Sequence, residues 1–179
     1  GYMTRDTSVN PNGWGWPWSR LDDKDDGSLS LQSEEVRTTI SDHIARTYIV
    51  QTFANSSAID LAGVYLFPLP EDAVFSSFSL HIDGRPVEGE ILAAGKAKQQ
   101  YQQIVNQRID PGLLEVVNSR FVRSHIYPIP AHGTKKVELE YTQVLAADKG
   151  VFTYQYPLKS ERKQPAPQKV SFLIKVNSS

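Results

Sequence analysis

The chain has 179 residues, 40% apolar and 22% charged, a composition that suits one globular domain, or one domain with a tail, and not a disordered segment. Its 19 basic and 20 acidic side chains leave a net charge of -1, so no basic excess marks it for nucleic acid or anionic lipid. The absence of cysteine excludes disulfides, Cys-ligated zinc, iron–sulfur clusters and cysteine nucleophiles, and no apolar run approaches the ~18 residues of a membrane-spanning helix.

Residues 1–27 are read as an irregular arm. They hold Pro11-Asn12-Gly13-Trp14-Gly15-Trp16-Pro17-Trp18 and then Asp22-Asp23-Lys24-Asp25-Asp26-Gly27. Gly, Pro, Asn and Asp at this density are turn formers. Three indoles in such a stretch are expected to pack on the domain or on a partner.

From Ser28 the pattern becomes alternation, and residues 28–179 are read as one domain. Val36, Thr38 and Ile40 alternate with Arg37, Thr39 and Ser41; Phe78, Leu80 and Ile82 with Ser77, Ser79 and His81; Val137, Leu139 and Tyr141 with Lys136, Glu138 and Glu140. Phe152, Tyr154, Tyr156 and Leu158 share one parity, and so do Val170, Phe172, Ile174 and Val176. A period of two predicts strands with one face inward and one in water. Asn55-Ser56-Ser57, Asp83-Gly84, Ala131-His132-Gly133 and Asp148-Lys149-Gly150 are the turn signals between them. Asn55-Ser56-Ser57 also spells an acceptor for an N-linked glycan in a eukaryotic secretory pathway.

One segment departs from alternation. Ala97, Tyr101, Ile104 and Val105 form a single stripe at helical spacing, which predicts a helix over about 96–108 that ends before Asp110-Pro111-Gly112. Many short strands with one helix and no βαβ alternation predict a mainly β fold, an antiparallel β-sandwich with one inserted α-helix.

The chemistry of an active site is sparse. His43, His81, His125 and His132 form no paired metal motif, and neither a nucleophile elbow, a phosphate loop nor a dinucleotide fingerprint occurs. His81 and His125 fall on strands and are read as structural. The acidic run fails as an EF-hand because Lys24 and Ser33 stand where ligands are needed. Asp22, Asp23, Asp25 and Asp26 remain a candidate for a loose surface calcium site against the plainer reading of a solvated loop. Asp26-Gly27-Ser28-Leu29-Ser30 spells D-x-S-x-S, the first metal-ligand motif of a von Willebrand A domain, but follows a solvated run instead of a buried strand and is read as coincidence. No catalytic residue and no cofactor are expected. Trp14, Trp16 and Trp18 suit packing, or stacking on a sugar or a partner's pocket.

An ordered set of residues carries a resemblance. Gln51-Thr52-Phe53-Ala54-Asn55 and Val64-Tyr65-Leu66-Phe67-Pro68-Leu69-Pro70 come first, followed by Lys96-Ala97-Lys98-Gln99-Gln100-Tyr101. Asp110-Pro111-Gly112-Leu113-Leu114-Glu115, Tyr127-Pro128-Ile129-Pro130 and Val137-Glu138-Leu139-Glu140-Tyr141 complete it. Together they resemble the vault protein inter-alpha-trypsin (VIT) domain over about Leu29 to Leu158. The resemblance implies architectural roles for Tyr101, Asp110, Pro111, Gly112, Leu113, Leu114, Pro128, Pro130 and Tyr141. It implies a non-enzymatic interaction or scaffold module that precedes a von Willebrand A domain in a larger, exported protein (periplasmic, cell-surface or secreted). A protein partner is expected, with no nucleic acid. The alternative is carbohydrate or cell-wall binding through the three tryptophans.

Overall fold

The computed structural model describes residues 1–5, 28–89, 91–93, 114–118, 121–156 and 167–177. Among these the regular structure is all strand. One sheet has five strands in the order β1 (Tyr2–Arg5), β4 (Leu61–Pro68), β9 (Phe121–Ile129), β8 (Leu114–Asn118) and β7 (Ile91–Ala93). The other has six, in the order β13 (Lys169–Asn177), β2 (Leu29–Ser41), β3 (Ile44–Asn55), β10 (Thr134–Val144), β5 (Ala73–Ile82) and β6 (Arg85–Glu88). A small hairpin of β11 (Ala147–Asp148) and β12 (Val151–Phe152) stands apart.

The alternation explains the packing. Val36 on β2, Ile49 and Phe53 on β3, Phe78 and Leu80 on β5, and Val137, Leu139 and Tyr141 on β10 all face one way. They meet Met3, Leu61, Tyr65, Phe67, Val122, Ile126 and Ile129 of the five-stranded sheet in one core. Aromatic rings bridge the layers: Phe53 meets Tyr65 edge-on with centroids 5.9 Å apart, and Phe67 tilts against Tyr141 at 6.1 Å. The fold is thus a mainly β sandwich whose stability comes from burying one face of each sheet. The helix expected over 96–108 lies outside the described residues.

Two pairings are parallel, β13 with β2 and β7 with β8, so the sheets are mixed instead of antiparallel throughout. Parallel neighbours need a long crossover, and residues 94–113 stand between β7 and β8. The tight turns follow local chemistry. Asp83 and Gly84 have φ of 51° and 77°, and Lys149 and Gly150 have 50° and 83°, the double left-handed geometry of two-residue hairpins.

Three other differences from the sequence reading have physical causes. Tyr2–Arg5, placed in the irregular arm, pair with β4, and Met3 is buried in the core. The stretch from Phe152 is no continuous strand: after β12, residues 153–156 run as a strap without regular structure. The hydroxyls of Tyr154 and Tyr156 draw it onto side chains of β2 and β3. Asn55 is 2% exposed, and its Nδ2 donates to the carbonyls of Ile59, Ile129 and Pro130 at 2.9–3.0 Å. That amide latches two loops together and is no acceptor for a glycan in the folded domain.

Candidate interaction surface

The inner face of the six-stranded sheet has polar residues set into it. Glu34 and Gln51 are opposite each other in the β2–β3 register, with Val36 and Ile49 next and Thr38 and Thr47 after them. The Glu34 carboxyl accepts from Gln51 Nε2 and from the Tyr156 hydroxyl, both at 2.7 Å. Tyr65 of the opposite sheet donates to Gln51 Oε1 at 2.9 Å. Burial, reinforced by the nearby Glu34 carboxyl, pushes the Tyr156 and Tyr65 hydroxyls well above the usual phenol range. They stay neutral donors. One turn of the pleat further, Tyr154 OH lies 2.9 Å from Thr38 Oγ1 and 2.8 Å from Thr47 Oγ1. These bonds satisfy groups that would be costly to bury alone, and they hold the strap in place. Their chemistry is positional: the hydroxyls of Tyr65, Tyr154 and Tyr156 bond to amide, threonine and carboxyl groups of β2 and β3.

The outer face of the same sheet is charged. His81 Nε2 lies 2.6 Å and Lys136 Nζ 3.0 Å from Glu138 Oε1. Burial raises the Glu138 carboxyl, but hydrogen bonds from Tyr48, Lys136 and His81 outweigh it and bring the group down from 4.5 to about 2. Arg37 closes on Glu35 at 2.6 Å and sits 6.0 Å from the centroid of the Tyr48 ring. This is a cross-strand ion network on a solvated face, and no group of three or more metal-binding side chains occurs among the described residues.

The surface that stands out is β13. It pairs with β2 so that Val170, Phe172, Ile174 and Val176 share the face of Glu34, Val36, Thr38 and Ile40. The four are nonetheless 40%, 44%, 51% and 68% exposed, and Leu173 on the other face is 63% exposed. The Tyr156 ring meets Phe172 edge-on at 5.6 Å and covers one end of the row. A row expected to face the core is therefore open to solvent.

Of the residues singled out from the sequence, Trp14, Trp16, Trp18, Asp22, Asp23, Asp25, Asp26, Tyr101, Asp110, Pro111, Gly112 and Leu113 lie outside the described residues. Leu114 opens β8, paired with Ile91 on one side and Ser124 on the other. Pro128 follows Tyr127 through a cis peptide bond near the end of β9. The Pro130 carbonyl accepts from both Asn55 Nδ2 and the Gly133 amide. Tyr141 is fully buried. Sequence reasoning assigned nothing to Glu34, and it read Gln51 only as part of the family resemblance and Asn55 as part of that resemblance and of a turn, not as buried hydrogen-bonding groups. The signal was parity: Glu34 shares the inward set of Val36 and Thr38, so a carboxyl there had to find donors.

Comparison with known proteins agrees with this architecture. The model of the vault protein inter-alpha-trypsin domain matches residues 31–141. A mouse protein mono-ADP-ribosyltransferase PARP4 is 30% identical over 87 residues, 49% of this chain and 4% of that protein. The rat von Willebrand factor A domain-containing protein 5A is 29% identical over 152 residues, 83% of this chain and 18% of the relative. Human inter-alpha-trypsin inhibitor heavy chain H3 is 25% identical over 137 residues, 76% of this chain and 15% of the relative. The chain thus spans less than a fifth of each of these proteins.

Proposed function

The chain belongs to the vault protein inter-alpha-trypsin domain family, and on that premise we propose that it is a non-enzymatic interaction module of a longer, exported polypeptide. The observation that carries the reading is the uncovered apolar row of β13 beside Tyr156. Hydrophobic strips with an aromatic anchor are where partner proteins gain most of their binding energy. A von Willebrand A domain is the neighbour proposed within the parent chain, since one relative carries that domain in its name. The polar groups support a structural reading, because each assigned hydroxyl and amide of the inlay holds an element of the sandwich in place.

Hydrogen exchange on the intact parent protein tests the proposal. Slower exchange across Val170–Val176 there than in the dilute 179-residue chain, beyond the protection that pairing with β2 already gives, is the expected result. Equal exchange in both would overturn it. The second reading, carbohydrate binding, rests on Trp14, Trp16 and Trp18 alone. Indole fluorescence that stays constant through a panel of glycans would remove it.

A further inference from the structure

β13 combines two properties. Its inner row is apolar and exposed, and on its far side it pairs with no described strand. The five-stranded sheet ends at β1, which lies against β2, so β13 projects past the cover that its neighbours have. A nine-residue edge without proline is a template for another strand, and backbone pairing there brings side chains of matching parity together.

We propose that β13 is the edge through which two copies of this chain associate, antiparallel, with Leu173 on the two-fold axis. The proposal rests on the interaction-module reading and names the partner as a second copy. The strand sequence Lys169-Val170-Ser171-Phe172-Leu173-Ile174-Lys175-Val176-Asn177 is self-complementary in that register. Val170 meets Val176 of the second copy, Phe172 meets Ile174, and Leu173 meets itself. Lys169 faces Asn177 and Lys175 faces Ser171, so no like charges oppose each other. A register centred on Phe172 would set Lys169 against Lys175, which cross-strand repulsion disfavours. In the register centred on Leu173 the inner rows of both copies fall on the same side, and the two six-stranded sheets become one continuous sheet.

The chain has no cysteine, so single introduced thiols report the register cleanly. Opposed residues in an antiparallel pair have Cα atoms about 4.5–5.5 Å apart, within reach of a disulfide. Leu173→Cys is expected to form a disulfide dimer under mild oxidation, and Ser171→Cys, placed opposite Lys175, is not. Sedimentation velocity of the unmodified chain is expected to show a species of twice the 20.1 kDa chain mass at micromolar concentration. Leu173→Lys, a change at an exposed site, should weaken that association by about tenfold or more while the melting of the monomer stays in place.

A single species of monomer mass at every concentration overturns the pairing, as does equal cross-linking of the two cysteine variants. A monomer whose β13 amides become protected only within the longer polypeptide gives the edge to another occupant; it overturns the pairing of copies and leaves the interaction-module reading standing. Exchange of β13 that is the same in every setting defeats both.

Discussion

Val137, Leu139 and Tyr141 on β10 follow the same alternation as Val170, Phe172, Ile174 and Val176 on β13. The first row is at most 1% exposed, and the second ranges from 40% to 68%. β10 lies between β3 and β5, and Phe67 of the opposite sheet covers its Tyr141. β13 lies at the rim, where the Tyr156 ring of the strap meets Phe172. Alternation therefore specifies which side chains share a face. What covers that face is a property of the other layer, and the β13 row is left with exposed apolar surface.

Substitutions at matched positions sharpen the contrast. Phe53→Ala, in the fully buried row of β3, is expected to lower unfolding free energy by about 3–5 kcal/mol in chemical denaturation. Phe172→Ala should cost the monomer less than about 1 kcal/mol, because its ring is already 44% exposed. Equal losses at the two sites would mean that the β13 row is covered in solution and would break the comparison.

The latch and the inlay come next in size. Asn55→Ala removes the donor to the carbonyls of Ile59, Ile129 and Pro130 and should cost about 2–3 kcal/mol, read as a drop in melting temperature. Glu34→Ala leaves Gln51 Nε2 and the Tyr156 hydroxyl without their acceptor, for a loss of about 1–3 kcal/mol. Release of the strap would follow, and Phe172 would then become more exposed. Protease cleavage within 153–156 that appears in Glu34→Ala and not in the parent chain is the expected sign.

The smallest effect is the pH dependence of the charged face. The Glu138 carboxyl is lower in the folded chain, about 2, than its ordinary 4.5. Its stabilising contribution is complete above the unfolded value and disappears as pH falls through the folded one. Acid titration of stability between pH ~4.5 and ~2 should therefore be steeper for the parent chain than for Glu138→Gln. Identical slopes would show that the network of Tyr48, Lys136 and His81 contributes nothing to that carboxyl.

Much of the sandwich was legible from the residues. The faces of β2, β5 and β10 follow from parity, and Asp83-Gly84 and Asp148-Lys149-Gly150 read as turns because glycine takes the second positive φ of a two-residue hairpin without strain. The family resemblance rested on an ordered set of such residues, and the family match covers 31–141. Less of the candidate surface was readable. The strand of Val170–Val176 was expected, but not its exposure, because burial depends on what crosses above it. The strap at 153–156 was misread as a strand. Tyr154 and Tyr156 have strand parity, while the partners that pull them off the sheet edge sit more than a hundred positions away in sequence.

By itself, then, the sequence determined the fold class, the faces of the strands, the tight turns and the absence of cysteine chemistry. Each of these depends on a residue and its near neighbours. Only the tertiary structure decided that β13 pairs parallel to β2 at a rim, that Asn55 is a buried latch, and that Glu34 binds the strap. Those outcomes depend on which distant segments arrive at the same place, and a local pattern does not specify that.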